Sequence, residues 1–223
     1  ASFNDFFTRR LRTGARLFDP EPQAALCPVD GYISQTGAIA GDTLVQAKGM
    51  EYSAAALLSG DEALAKEFAG GAFATFYLAP HNYHRIHMPL AGTLRLARFV
   101  PGDLFSVNAA TTSGVPGLFA RNERVVCVFD TMMGPMAVVL VGALFVGSMS
   151  LAWAGEIRVP GRSAPHDLPS PNPSVALDRG AELGWFNMGS TVVVIFCGRG
   201  PELVGGLYRG SAMRVGERLA LPR

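Results

Sequence analysis

The residues with chemistry to offer cluster in three short stretches, and the most telling is Gly189-Ser190. Gly189 has no Cβ, so its carbonyl carbon is open to approach and its backbone is conformationally free. Ser190 places a hydroxyl one bond further on, and Thr191 then opens the apolar run Val192-Val193-Val194-Ile195-Phe196. In that setting Ser190 is suited to attack the Gly189 carbonyl, so that the chain cuts itself between 189 and 190. A hairpin turn with a solvated serine is the alternative, since Gly and Ser are common turn residues.

Three of the four histidines lie in Pro80-His81-Asn82-Tyr83-His84-Arg85-Ile86-His87-Met88-Pro89. Histidine passes protons near neutral pH. On a helical turn His84 and His87 share a face; in a strand they point opposite ways, and each could serve a different reaction. A zinc site or a purely structural cluster are the rival readings, although no Cys is near and the spacing fits no zinc motif. Asp30, in Pro28-Val29-Asp30-Gly31, either marks an Asp-Gly turn or orients a His87 that activates Ser190. No G-x-S-x-G elbow is present, which counts against an ordinary serine hydrolase. Lys48 is one of only two lysines and is either a Schiff-base amine or half of a surface ion pair. No glycine-rich stretch has phosphate-loop spacing.

These residues need rigid elements to hold them. Val192–Phe196 reads as a buried strand entered through a tight corner. Gly31–Thr36, Thr43–Ala47, Phe73–Leu78, Thr93–Val100, Arg124–Phe129, Pro135–Val146 and Met149–Trp153 read as further strands. Leu203–Tyr208 and Arg218–Leu221 close the chain as short strands. Tyr52–Ser59 and Glu62–Phe68 read as short helices, the second ended by Gly70-Gly71. The prolines of Pro160–Gly180 predict a loop-like excursion or lid. At the start, Ser2-Phe3-Asn4-Asp5 resembles a helix cap. Phe3, Phe6, Phe7 and Leu11 then fall near one face, followed by Arg9, Arg10, Arg12 and Arg16. Aromatics beside arginines suit an anionic membrane surface; a short helix packed on the core with a basic edge is the alternative.

Length and composition bound the rest. The 223 residues can bury a sizeable core, in one domain or two small ones. A net charge of +1 argues against nucleic-acid binding through bulk charge. Apart from Lys48 and Lys66 every basic residue is arginine, whose fork suits phosphate and carboxylate. Cys27, Cys127 and Cys197 are odd in number and far apart, which predicts reduced, buried thiols. Met136–Gly155 carries no charge, but its glycines, serines and β-formers read as two buried strands rather than a membrane span. The chain starts at Ala1 without Met, consistent with removal of an N-terminal piece.

Taken in order, several stretches resemble the phosphatidylserine decarboxylase family, whose proenzymes make their own pyruvoyl group. They are Phe6-Phe7-Thr8-Arg9, Pro28-Val29-Asp30-Gly31, Lys48-Gly49 with Tyr52-Ser53, and Tyr83 to Pro89. Pro101 to Asn108, Phe119 to Arg124, Val141-Gly142-Ala143 and Met188-Gly189-Ser190-Thr191 continue the match. Met188 replaces the Leu usual in that family's processing motif, a volume-conserving change. The resemblance implies an α+β fold with an antiparallel β-rich, barrel-like core and a few flanking short helices. It implies a single catalytic domain over 1–223, cut into a β chain 1–189 and an α chain 190–223, and a homodimer. Asp30 and His87 are implied to activate Ser190 for self-cleavage. Elimination and loss of ammonia would then leave a covalent pyruvoyl group at residue 190, with no metal. A Schiff base on that carbonyl is the implied electron sink, and His84 is implied to assist decarboxylation or protonate the product. The implied substrate is phosphatidylserine, met peripherally on the cytoplasmic side of the cell membrane, and the product is phosphatidylethanolamine. The alternatives are a pyruvoyl enzyme acting on a soluble amino acid, a serine hydrolase built on Asp30, His87 and Ser190, and a non-catalytic β-barrel binding module.

Overall fold

The computed structural model describes residues 3–46, 49–144, 148–157, 164–169, 175–187 and 191–223. Lys48, Gly189 and Ser190, and the expected Ser2 cap, lie outside the described residues.

The strand Thr191–Phe196 lies inside a nine-stranded sheet and is buried along its whole length. Its β-branched run suits an extended backbone, where such side chains pack well. Thr191 stands opposite Tyr77 on one side and Val141 on the other, and Phe196 stands opposite Ala72 and Met136. Across the sheet the order is His166–Asp167, Gly92–Val100, Arg124–Thr131, Gly134–Val141, Thr191–Phe196, Ala72–Tyr77, Gly31–Ala38 and Ala212–Met213, with Ala176–Leu177 also on Gly92–Val100. Every pairing in it is antiparallel. Among the described residues the path does not return to its first strand, so the β-rich core expected from the sequence is there an open sheet and not a closed barrel.

A smaller sheet holds the histidine segment, in the order Gly155–Ile157, Met149–Leu151, Glu182–Phe186, Arg85–His87. Gly184 lets two of its strands close up: a Cβ there would lie 2.2 Å from the Ser150 carbonyl oxygen. Ala25–Leu26, Arg218–Leu221 and Glu202–Leu203 form a third sheet that ties the chain's two ends together.

Several boundaries differ from expectation. Tyr52–Ser59 is not one helix: Glu51–Ser53 pairs with Thr43–Val45, and only Ala54–Leu57 is helical. The reason is Ser53, whose side chain accepts from the Ala56 N–H and starts the helix there. Glu62–Glu67 is helical as read, capped by Asp61 on the Leu64 N–H. The proline-rich stretch contributes His166–Asp167 and Ala176–Leu177 to the large sheet. Near the C-terminus the expected Leu203–Tyr208 strand shrinks to Glu202–Leu203, and Ala212–Met213 pairs with Gly31–Ala38 instead. Gly134–Val141 and Met149–Leu151 are the two buried strands read in the uncharged stretch, and no described helix is long and apolar enough to cross a membrane. All three cysteines are buried and free.

Two buried polar side chains brace the sheet end that carries Thr191. Asn122 donates to the Phe105 and Gly142 carbonyls, both at 2.8 Å, and accepts from the Phe105 N–H at 3.0 Å. Arg124 donates to the carbonyls of Ala56, Leu57 and Asn122 at 2.6, 2.7 and 2.9 Å. It thereby satisfies the Leu57 carbonyl that the end of the Ala54–Leu57 helix leaves open, and adds a donor to Ala56, which also accepts from the Ser59 N–H.

Candidate active site

His84 immediately precedes the Arg85–His87 strand and is completely buried. Its ring stacks on Phe7 from the N-terminal Phe3–Phe7 helix, with centroids 3.8 Å apart. Nδ1 lies 2.9 Å from the Asn82 carbonyl oxygen. A carbonyl only accepts, so Nδ1 carries the hydrogen and Nε2 presents a lone pair. That Nε2 is buried and has no hydrogen-bond partner among the described residues. Burial pushes the imidazole pKa down to about 4, outweighing the Asn82 and Leu78 carbonyls that oppose it, so His84 is neutral at pH 7. The near-neutral value expected of a proton donor is therefore not the resting value.

His87 sits three residues on, at the end of the strand, and lines a cavity of about 370 Å³. Nδ1 lies 2.8 Å from the Gly180 carbonyl oxygen, which fixes the hydrogen on Nδ1. Nε2 then accepts from the Tyr83 hydroxyl at 2.9 Å. Desolvation lowers the His87 pKa, while the Gly180 carbonyl, Glu182 and Asp30 oppose the shift. The two histidines thus occupy different surroundings, as strand geometry predicts, and each has a fixed tautomer. Among the described residues no group of three or more His, Cys, Asp and Glu is arranged to hold a metal ion.

Asp30 ends the segment leading into Gly31–Ala38 and is buried. Its carboxylate accepts from Arg16 Nε at 3.0 Å, from Arg16 Nη2 in a closer contact, and from the Val215 N–H at 3.0 Å. The same pairing raises the Arg16 pKa. Among the described residues no hydrogen bond joins Asp30 to His87. Arg16, which holds Asp30, nevertheless lines the His87 cavity.

Arg85 braces the strand between the two histidines. It donates to Glu182 at 2.6 Å and to the Thr8 carbonyl at 2.9 Å, and its guanidinium lies 4.8 Å from the Trp185 ring centroid. Arg9 donates to the His81 and Asn82 carbonyls. The N-terminal segment therefore packs along the histidine stretch: Phe7 on His84, the Thr8 carbonyl on the Arg85 side chain, Arg9 on the His81 and Asn82 carbonyls, and Arg16 on Asp30.

Asn187 and Thr191 bracket the expected scissile pair in sequence. The Phe186 N–H donates to the His84 carbonyl at 3.1 Å, and Asn187 Nδ2 donates to the Ser148 hydroxyl at 2.6 Å. The chain approaching residue 189 is thus fastened to the backbone of His84. On the far side, Thr191 Oγ1 is buried without a partner among the described residues. Tyr83 and Gly180 were not singled out from sequence, and Arg16 only as one of the N-terminal arginines. Tyr83 lies inside the histidine stretch and could have been; nothing local marks the Gly180 carbonyl or the long-range Arg16–Asp30 pair.

The family model described as phosphatidylserine decarboxylase matches residues 3–221. The chain is similar to the phosphatidylserine decarboxylase proenzyme of Pseudomonas entomophila (strain L48), 56% identical over 226 residues, covering 99% of this chain and 77% of that protein. It is likewise 55% identical to the proenzyme of Pseudomonas putida (strain F1) over 226 residues, and to that of Pseudomonas aeruginosa (strain PAO1) over 227 residues, with the same coverage.

Proposed function

This chain belongs to the phosphatidylserine decarboxylase family, and on that footing we propose that it converts phosphatidylserine to phosphatidylethanolamine with a pyruvoyl group made from its own Ser190. The pyruvoyl carbonyl supplies the electron sink that departure of carbon dioxide requires. The observation that carries the reading is His84: a buried imidazole with an unpartnered Nε2, whose carbonyl receives Phe186 on the approach to Gly189-Ser190. A buried lone pair without a partner fits a site awaiting a small polar group.

In self-cleavage His87 acts as the base. Its Nε2, once the Tyr83 hydroxyl turns away, takes the Ser190 hydroxyl proton while Nδ1–H stays on the Gly180 carbonyl, which keeps the tautomer fixed. Asp30 stabilises the resulting imidazolium through its field, since its oxygens are held by Arg16 and the Val215 N–H. The Ser190 oxygen bonds to the Gly189 carbonyl carbon, the amide nitrogen leaves with the proton, and an ester results. Loss of the Ser190 Cα proton breaks the ester C–O bond and frees a chain ending in the Gly189 carboxylate. Water then displaces ammonia at residue 190.

In decarboxylation His84 enters as the neutral imidazole. A substrate carboxylate beside it raises its proton affinity, so Nε2 gains a proton and returns one to the carbon that carbon dioxide leaves. Exposed Phe6 and Leu17, beside Arg9, Arg10 and Arg12, suit peripheral attachment to the cytoplasmic face of an anionic membrane.

Intact mass is the test. Wild type separates into two fragments with a blocked new terminus, and Ser190→Ala remains one chain. Cyanoborohydride with phosphatidylserine traps substrate on the fragment that begins at residue 190. An adduct on Lys48, or an unbroken chain that still releases carbon dioxide, overturns the reading.

A further inference from the structure

The His87 cavity is lined by Arg10, Arg12 and Arg16 as well as Glu182. Two of these charges are already spent. Arg16 is held on Asp30, and Glu182 is held by Arg85 at 2.6 Å. Arg10 reaches Glu182 only at 3.9 Å and is largely exposed. Arg12 pairs with no carboxylate among the described residues. Arg12 is thus left without a carboxylate partner, and Arg10 with one long contact, at the mouth of a cavity that a catalytic histidine lines. Gly14, at φ +77°, makes the turn that brings Arg12 and Arg16 to the same opening. Leu11 and Phe18 supply an apolar wall beside them. The volume of about 370 Å³ lies within the range of small-molecule sites.

We propose that Arg10 and Arg12 grip the phosphodiester of the lipid headgroup, and so set which amino acid derivative the enzyme accepts. The inference rests on the phosphatidylserine reading and assigns the phosphate site within it. The physical ground is that a phosphate oxygen pair matches a planar guanidinium fork, and that both exposed guanidiniums line the mouth of the cavity that His87 also lines. General attraction to an anionic membrane would need no cavity. It would act on any exposed arginine, including Arg209, which is remote in sequence from the site.

Substrate presented in two ways separates these roles. Short-chain phosphatidylserine, dissolved as monomers, reports headgroup recognition without a membrane; the same headgroup in anionic vesicles reports both. With processed enzyme, Arg12→Gln is expected to raise KM for the monomeric lipid about tenfold, well beyond its effect on kcat. Arg10→Gln/Arg12→Gln is expected to raise it further, and Arg12→Lys to recover only part of the loss because it keeps charge but not the fork. An unchanged KM for monomers with weakened vesicle activity overturns the proposal and leaves the arginines a membrane role only. Titration of glycerophosphoserine into wild type and Arg12→Gln by calorimetry provides the second arm. If wild type releases no carbon dioxide from either form of lipid, the substrate reading fails, and this arm still decides the phosphate site: equal affinities for both proteins overturn it.

Discussion

His84 and His87 differ by three positions and by almost everything around them. Burial against Phe7 keeps His84 neutral, and that has a pH signature. Its pKa is about 4 in the folded protein against 6.5 when exposed, so the unfolded chain binds more protons between those values. The stability contributed is full above pH 6.5 and is lost as pH falls towards 4; thermal melts of His84→Gln are expected to show a shallower acid slope than wild type across that window. The same variant should still cut itself but lose roughly 10²- to 10⁴-fold in carbon dioxide release, read by gel and by gas evolution. Tyr83→Phe probes the other histidine. The hydrogen bond from Tyr83 favours the unprotonated Nε2, so its loss raises the His87 pKa. The pH–rate profile of self-cleavage should then move to higher pH, and an unmoved profile would rule out Tyr83 as a positioning residue. The residue types were legible in the sequence, but their protonation was not. Neither the Phe7 stack nor the Gly180 carbonyl is a neighbour in the chain of the histidine it tunes.

At the scale of elements, two braces hold the site in place. Gly184 sits where the Glu182–Phe186 strand slips register against Arg85–His87 and crowds Ser150 on its other side. Gly184→Ala forces that contact apart and should cost about 1–3 kcal/mol, measured by urea denaturation. Arg124 is the second brace. Arg124→Leu strands the Leu57 and Asn122 carbonyls inside the protein and should destabilise by about 2–4 kcal/mol in the same experiment. Long apolar strands such as Thr191–Phe196 and Gly134–Val141 were readable because their side chains announce an extended, buried backbone. His166–Asp167 and Ala176–Leu177 were not. Two-residue strands carry no periodicity of their own and exist because Gly92–Val100 offers them a paired edge. The Ser53 cap explains the Tyr52–Ser59 error in the same way: one hydroxyl moved a boundary that propensity alone left open.

At the scale of the whole molecule, the expected cut would separate residues 190–223 covalently but not physically. Thr191–Phe196 is paired on both edges, Ala212–Met213 lies on Gly31–Ala38, and Arg218–Leu221 joins Ala25–Leu26. The two fragments should therefore co-elute on size exclusion in native buffer and part only in denaturant; separation without unfolding would contradict the sheet order. The order has a further consequence for biosynthesis. Thr191–Phe196 is synthesised long after Ala72–Tyr77 and Gly134–Val141, yet must slide between them. The slot between those two strands stays empty until Thr191–Phe196 has been made, so the residues that flank the expected cut cannot be locked in place before the rest of the large sheet exists.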